Sequence, residues 1–99
     1  MLNINKQLTG NELSIALEGR LDTMTAPDLE SQLSANLGGV ESLIFDLAKL
    51  EYISSAGLRV LLSAQKTMNK QGSMVVRNAT EEVKEIFEVT GFSDILTIE

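Results

Sequence analysis

Several residue types are missing from this chain of 99 residues, and each absence removes a class of chemistry. Without cysteine there is no disulfide framework and no thiolate nucleophile, which is consistent with a reducing compartment. Without histidine there is no Ser-His-Asp triad, and the usual zinc ligands are lacking. We therefore expect no enzyme activity, no cofactor and no metal site.

Positive charge and aromatic side chains are also scarce. Eight Lys and Arg residues are outnumbered by fourteen Asp and Glu residues, which gives a net charge of −6. An acidic chain without a basic cluster is repelled by nucleic-acid backbones, and four scattered aromatic residues cannot form a platform for stacking bases. Direct binding to DNA or RNA is not expected.

Long apolar runs are absent as well, although 43% of the residues are hydrophobic. No stretch approaches the length of a membrane span, and the first residues do not form a signal-peptide pattern. We expect a cytoplasmic protein that does not insert into a membrane, folded as one domain over residues 1–99.

The order of apolar patterns predicts an α/β fold. Period-two alternation predicts a hairpin at the start of the chain, and later apolar segments alternate between strand and helix patterns. The predicted order is ββαβαβα with an optional last strand, in a mixed, mostly parallel sheet of four to five strands. The predicted strands cover residues 2–6, 13–18, 42–47 and 74–76, with the optional strand at 95–98. The predicted helices begin at 25–28, after 54–57, and at a capping box of Asn78 and Glu81.

Two polar loops should meet at one edge of this sheet. One loop contains Asp22 and Thr23, and the other contains Ser54, Ser55 and Gly57 at the start of a helix. In open α/β sheets the carboxyl ends of the strands are the usual position of a site. A serine at a helix start can cap the helix, and the same place can also stabilise a phosphate.

Two motifs in these loops resemble the STAS-domain family, specifically the bacterial anti-sigma factor antagonists. Gly19-Arg20-Leu21-Asp22 is similar to the family's G-x-L-D segment before the first helix. The stretch from Phe45-Asp46-Leu47 to Ile53-Ser54-Ser55-Ala56-Gly57-Leu58 is similar to its second motif, which ends in [D/S]-S-x-G-L. Val89-Thr90-Gly91-Phe92 adds a weaker match, so that the resemblance covers essentially the whole chain.

This resemblance implies a function in partner switching. In such antagonists the serine two positions before the motif glycine is phosphorylated by an anti-sigma factor that is an ATP-dependent serine kinase. Counting back from Gly57, this serine is Ser55. The unphosphorylated protein would bind the kinase and free sigma, and a phosphatase would reset the phosphorylated form. The implied partner-binding residues are Asp22, Thr23, Ser54, Ser55, Ala56, Gly57 and Arg59.

Other readings of these residues stay open. Many family members have Asp immediately before the phosphoserine, so Ser54 is a second, less favoured candidate for the phosphate. Ser55 could be only a helix cap, although Ser54 is the more expected cap or loop residue. Gly57 could be only a close-packing residue, and Asp22 only a turn residue. Asp46 is expected to end a strand and organise the turn that follows.

Two functions compete with the switch. The first is a STAS domain that binds without switching in another assembly, such as a stress-signalling scaffold or a lipid-transport complex. The second is a small hydrolase or nucleotide-binding enzyme, which the absence of histidine, of a P-loop and of a G-x-S-x-G elbow makes the weaker hypothesis.

Overall fold

Alternating apolar residues build an antiparallel hairpin at the start of the chain. In the computed structural model, which describes residues 2–99, strand β1 spans Leu2–Thr9 and strand β2 spans Glu12–Leu21. The two-residue turn between them includes Gly10 at φ +62°, a left-handed conformation that glycine adopts without strain. The apolar residues of β2 that alternate from Leu13 onwards are buried, which fixes the pairing of the strands.

The rest of the chain alternates between helices and parallel strands. These elements are α1 (Ala26–Asn36), β3 (Ser42–Ile53), α2 (Ser55–Gln71), β4 (Ser73–Arg77), α3 (Glu81–Thr90) and a short 3₁₀ turn (Phe92–Asp94). The four strands lie in the order β1-β2-β3-β4, and β3 is parallel to both of its neighbours. The predicted order ββαβαβα and the mixed sheet are confirmed.

One continuous core lies between the helices and one face of the sheet. Leu29 and Leu33 of α1 and Leu37, which ends that helix, form a buried stripe that is part of this core. Phe45 of β3 and Phe87 of α3 are its largest fully buried side chains. Burying a side chain of this size stabilises the fold by about 1.5–3 kcal/mol.

Strand β3 is longer than predicted, which corrects the expected position of Asp46. The strand does not end at Leu47 but continues to Ile53, and Asp46 lies inside it. Its Oδ1 atom accepts a hydrogen bond from the Ala48 N–H at 3.0 Å, next to an irregularity in the pairing with β2. A second irregularity lies between Leu50 and Tyr52. The two together put Leu47, Leu50 and Ile53 three residues apart, so the period-two pattern is lost although the strand continues.

The start of α3 and the end of the chain also differ from the prediction. Thr80 rather than Asn78 caps α3, and its Oγ1 accepts a hydrogen bond from the Val83 N–H at 3.3 Å. Asn78 instead has a φ of 60° in the preceding turn. The optional last strand is reduced to one parallel bridge between Val76 and Ile98.

We predict that Gly72→Ala lowers the free energy of unfolding by about 3 kcal/mol, measured by urea denaturation. Gly72 ends α2, and a Cβ atom there would lie 1.8 Å from the backbone oxygen of Glu41. That oxygen accepts a hydrogen bond from the Ser73 N–H at 3.0 Å, which connects the start of β4 to the residue before β3. Gly38→Ala is the control, because a Cβ atom there meets nothing within 4 Å. Equal stability of the two variants would contradict the prediction.

Candidate functional site

The ends of β2 and β3 bring the two predicted loops together. Leu21 and Ile53 lie opposite each other in the parallel pairing, and each is the last residue of its strand. The Ser54 N–H then donates a hydrogen bond to the Leu21 carbonyl oxygen at 2.8 Å. The loop that begins at Asp22 and the start of α2 therefore lie side by side at the carboxyl edge of the sheet.

The two serines at this junction have different surroundings. Ser54 has an extended backbone and caps α2, with its Oγ atom accepting a hydrogen bond from the Gly57 N–H at 3.3 Å. Ser55 is the first residue of the helix and is exposed. Among the hydrogen bonds of residues 2–99, none uses the Ser55 hydroxyl. The reading of Ser55 as the helix cap is therefore wrong, because Ser54 has that role.

Gly57 lies on the buried side of the first turn of α2. A Cβ atom at this position would lie 2.7 Å from Leu21 Cγ and 2.9 Å from Ile53 Cγ1. The missing side chain lets the helix start rest directly on the ends of β2 and β3. Close packing therefore accounts for this glycine, and its contact with a partner stays a prediction.

Asp22 and Thr25 bind one another and set the shape of the loop after β2. The Asp22 Oδ1 atom accepts hydrogen bonds from the backbone N–H groups of Met24 at 3.0 Å and Thr25 at 3.1 Å. In return, the Asp22 N–H donates to Thr25 Oγ1 at 2.9 Å, and that hydroxyl donates to the Arg20 carbonyl oxygen at 2.9 Å. The carboxylate of Asp22 is thus hydrogen-bonded within its own loop, which is the role expected of a turn residue.

These hydrogen bonds also change the acidity of Asp22. Desolvation acts to raise the pKa of this carboxyl, but the backbone N–H groups of Thr25 and Met24 outweigh it and hold the pKa below the ordinary value. A lowered pKa in the folded state stabilises the protein above the pKa of the unfolded chain. That contribution is lost as the pH falls through the lowered, folded-state pKa.

An open groove lies beside Ser55, between the starts of α1 and α2. It has a volume of about 190 Å³ and contains three of the residues that the resemblance implied, Thr23, Ala56 and Arg59. The remaining lining residues are Ala26, Pro27, Glu30 and Val60. The site therefore combines an exposed hydroxyl with a neighbouring concave surface.

Three residues near the site are exposed. Met24, which the sequence offers either as a partner contact or as part of an ordinary helix entry, is 84% exposed in the Asp22 loop. Arg20 and Tyr52 were given no role as a pair. The Arg20 guanidinium lies 4.5 Å from the centre of the Tyr52 ring, and these residues are paired one position before Leu21 and Ile53. The extension of β3 hid this pair, since cross-strand neighbours can be identified only when both strands are known to continue.

Residues 2–99 contain no helix that is long and apolar enough to cross a membrane. That part of the chain also holds no group of three or more acidic side chains placed to bind a metal ion.

We predict that Thr25→Val lowers the free energy of unfolding by about 1–3 kcal/mol, measured by thermal or urea denaturation. Valine keeps the shape of the side chain but leaves the Asp22 N–H and the Arg20 carbonyl oxygen without their partner. Thr25→Ser keeps the hydroxyl and should lower the free energy of unfolding by less. If the serine variant is as unstable as the valine variant, the hydrogen bonds are not the cause.

Comparison with known proteins identifies the family of this chain. Residues 3–99 match the family model of the STAS domain. The chain is 38% identical over 88 residues to BtrV of Bordetella bronchiseptica, a candidate anti-sigma factor antagonist, covering 87% of this chain and 76% of that protein. It is 29% identical over 98 residues to the anti-sigma-B factor antagonist of Bacillus subtilis, covering 98% of this chain and 90% of that protein.

Solved structures show the same fold. An anti-sigma factor antagonist from Mycobacterium paratuberculosis superposes with a TM-score of 0.89 at 20% identity, covering 99% of this chain and 85% of that one. The Bacillus cell fate determinant SpoIIAA in its phosphorylated form superposes with a TM-score of 0.77 at 18% identity, covering 98% of this chain and 91% of that one. By its family match, its relatives and its fold, the chain belongs to the STAS-domain family.

Proposed function

We propose that this protein is an anti-sigma factor antagonist that is switched off by phosphorylation of Ser55. In its unphosphorylated form it binds an anti-sigma factor that is a serine kinase, and sigma is released. Phosphorylation ends this binding, and a phosphatase restores it. The observation that carries the proposal is the exposed Ser55 hydroxyl in the first turn of α2, beside a cap supplied by Ser54.

The division between the serines supports Ser55 as the acceptor. A hydroxyl that enters a kinase must be reachable and must give up its proton while its oxygen attacks the γ-phosphorus of ATP, with ADP as the leaving group. Ser55 can do this without disturbing the fold. Phosphorylation of Ser54 would use the oxygen that caps the Gly57 N–H. The catalytic base belongs to the kinase, so this domain is the substrate.

The local charges also favour a phosphate at Ser55. The first backbone N–H groups of a helix carry partial positive charge and stabilise an anion. Arg59 follows four positions later on α2, and residues at that spacing are neighbours on a helix surface. A phosphate adds about −1.5 to −2 charges, and these two features offset part of them.

The same phosphate would disturb a bound partner. The proposed contact surface consists of Ser54, Ser55, Ala56 and Gly57 at the helix start, together with Asp22, Thr23 and Arg59. Ala56 and Arg59 line the groove next to Ser55, so a partner seated there would meet the added charge and volume directly. Asp22 contributes by shaping its loop, because its carboxylate is bound by Met24 and Thr25.

The relatives support the proposal at a coarser level. The Bacillus subtilis relative is named an anti-sigma-B factor antagonist, and BtrV is named a candidate anti-sigma factor antagonist. A protein of this fold, SpoIIAA, has been solved in a phosphorylated form. A STAS domain that binds without switching would share the fold and the groove. It would not need an exposed serine whose hydroxyl is free of the helix cap.

We predict that Ser55→Ala binds the anti-sigma kinase as tightly as the unmodified protein but resists inactivation by ATP. Ser55→Asp should bind at least ten-fold more weakly, because it places negative charge at the contact. The measurement is calorimetric binding to each candidate anti-sigma serine kinase of the same organism, with and without ATP. Equal binding by the two variants would contradict the switch.

Ser54 provides the matched control for this experiment. Ser54→Ala removes the helix cap and should cost about 1 kcal/mol of stability while leaving inactivation by ATP intact. If Ser54→Ala resists ATP and Ser55→Ala does not, the assignment of the two serines is reversed.

We also predict that Arg59 lowers the second pKa of the phosphate on Ser55. In the phosphorylated protein, Arg59→Gln should raise that pKa, because a positive neighbour favours the dianion. Phosphorus NMR during a pH titration measures it. Lys66→Gln, two turns further along α2, removes the same charge away from the site and should change the pKa little. Equal effects would show that Arg59 acts only through the net charge.

A further inference from the structure

Two of the three arginines lie near Ser55 and have no acidic partner within the domain. Arg77 forms an ion pair with Glu99 at 2.8 Å. Arg20 and Arg59 are exposed and form no ion pair among residues 2–99. The chain carries a net charge of −6, so most of its surface repels an acidic group of another molecule. Arg20 and Arg59 are therefore places where such a group can bind.

Arg20 is held by an aromatic ring instead of a carboxylate. Its guanidinium lies over the ring of Tyr52, its cross-strand partner in β3. Among residues 2–99 no hydrogen bond uses the N–H groups of this guanidinium. The ring restricts the side chain and leaves its fork of donors available, so that binding a carboxylate costs less conformational entropy.

Met24 has the most exposed large apolar side chain among residues 2–99. Its backbone N–H is bonded to Asp22, and the next residue, Thr25, is buried and bound to the same carboxylate. The loop therefore presents Met24 to solvent in a shape that is already set. Covering this side chain removes apolar surface from water, and the ordered loop lowers the entropic cost of binding. Met, Tyr and Arg are also residue types that are enriched in protein interfaces.

Chain geometry places these side chains around the candidate site. Tyr52 precedes Ser55 by three residues, and three residues span at most about 11 Å. Met24 follows Leu21 by the same number, and the Leu21 carbonyl oxygen accepts the Ser54 N–H at 2.8 Å. All of them lie at the carboxyl ends of β2 and β3.

The groove beside Ser55 is too small to form a stable interface alone. Its volume is about 190 Å³, whereas a specific interface covers about 800 Å² of each partner, a patch roughly 30 Å across. The domain extends only 19 Å along its shortest axis. A contact of that size around Ser55 therefore continues onto neighbouring surface, either over the strand ends or further along the groove between α1 and α2.

Further along α1 and α2 the surface offers less to a partner. The groove there contains Leu33 and Val60, which are buried already, and its polar lining consists of Glu30 and three hydroxyl residues. No arginine lines this part. The strand ends instead present an available cation and exposed apolar surface, so they are the favoured direction.

From these features we infer that Arg20, Tyr52 and Met24 form a second contact region for the anti-sigma partner, here called the strand-end region. The partner binds Arg20 through a carboxylate and encloses Met24 in an apolar pocket. This inference rests on the proposed function, because the occupant is the same anti-sigma kinase. Ser55 switches the binding, whereas the strand-end region supplies affinity and selects partners that carry the matching carboxylate and pocket.

Charge reversal tests the proposed carboxylate contact. Arg20→Glu should weaken calorimetric binding to the anti-sigma kinase, without ATP, by about ten-fold, and Arg20→Lys should weaken it by less. Arg77→Glu is the matched control. Arg77 pairs with Asp46, seven residues before the end of β3, so the same change of charge lies about 20 Å from the site. Raising the salt concentration should reduce the difference between Arg20→Glu and the unmodified protein, because salt screens exposed charges.

Truncation tests the apolar contact. Met24→Ala should weaken the same binding by about five-fold, because the pocket of the partner loses its apolar occupant. Leu8→Ala is the control, since Leu8 is also an exposed apolar residue. It pairs with Leu13 near the start of β2, at the opposite end of that strand from the site. Leu8→Ala should therefore bind like the unmodified protein.

The outcomes separate this inference from the proposed function. Melting curves check that all variants are folded. If the unmodified protein binds a kinase, and Arg20→Glu or Met24→Ala binds as tightly as its control, the inference is overturned and the proposed function stands. If the unmodified protein binds none of the anti-sigma serine kinases of the same organism, both are overturned.

Discussion

The structure depends on a close contact between the start of α2 and the ends of two parallel strands. The Ser54 N–H donates to the Leu21 carbonyl oxygen at 2.8 Å, and Gly57 leaves room for Leu21 and Ile53 beneath the helix. A side chain on Gly57 would need the space that these two side chains occupy. Because both contacts act on the same helix turn, the position of α2 relative to the sheet is fixed at its first residues.

This contact separates the roles of two chemically identical neighbours. Ser54 turns inward as the cap, since its backbone is extended and its oxygen accepts the Gly57 N–H. The next residue must then begin the helix, and the hydroxyl of Ser55 is left in solvent. The Asp22 loop completes the surface by binding its own backbone, so that its shape is set before any partner arrives. In the proposed switch, a surface whose shape is already set lets a phosphate act through affinity, because modification then requires little rearrangement.

The sequence predicted the order of elements because their apolar periods are clear in β2, α1 and α2. It failed where a local irregularity interrupts the period. The bulge near Asp46 changed the spacing of buried residues in β3 and made a continuous strand look finished. The cap of α3 was assigned to Asn78 rather than Thr80, since both are good capping residues and only the backbone conformation distinguishes them. The candidate residues were identified by motif, and the expectation that Ser54 rather than Ser55 caps the helix is confirmed by its extended backbone.

The most direct test of the account is the position of the phosphate. The protein is incubated with ATP and each candidate anti-sigma serine kinase of the same organism, and the modified peptide is sequenced by mass spectrometry. The account predicts one phosphate, on Ser55. A phosphate on Ser54, or none with any of these kinases, would contradict it.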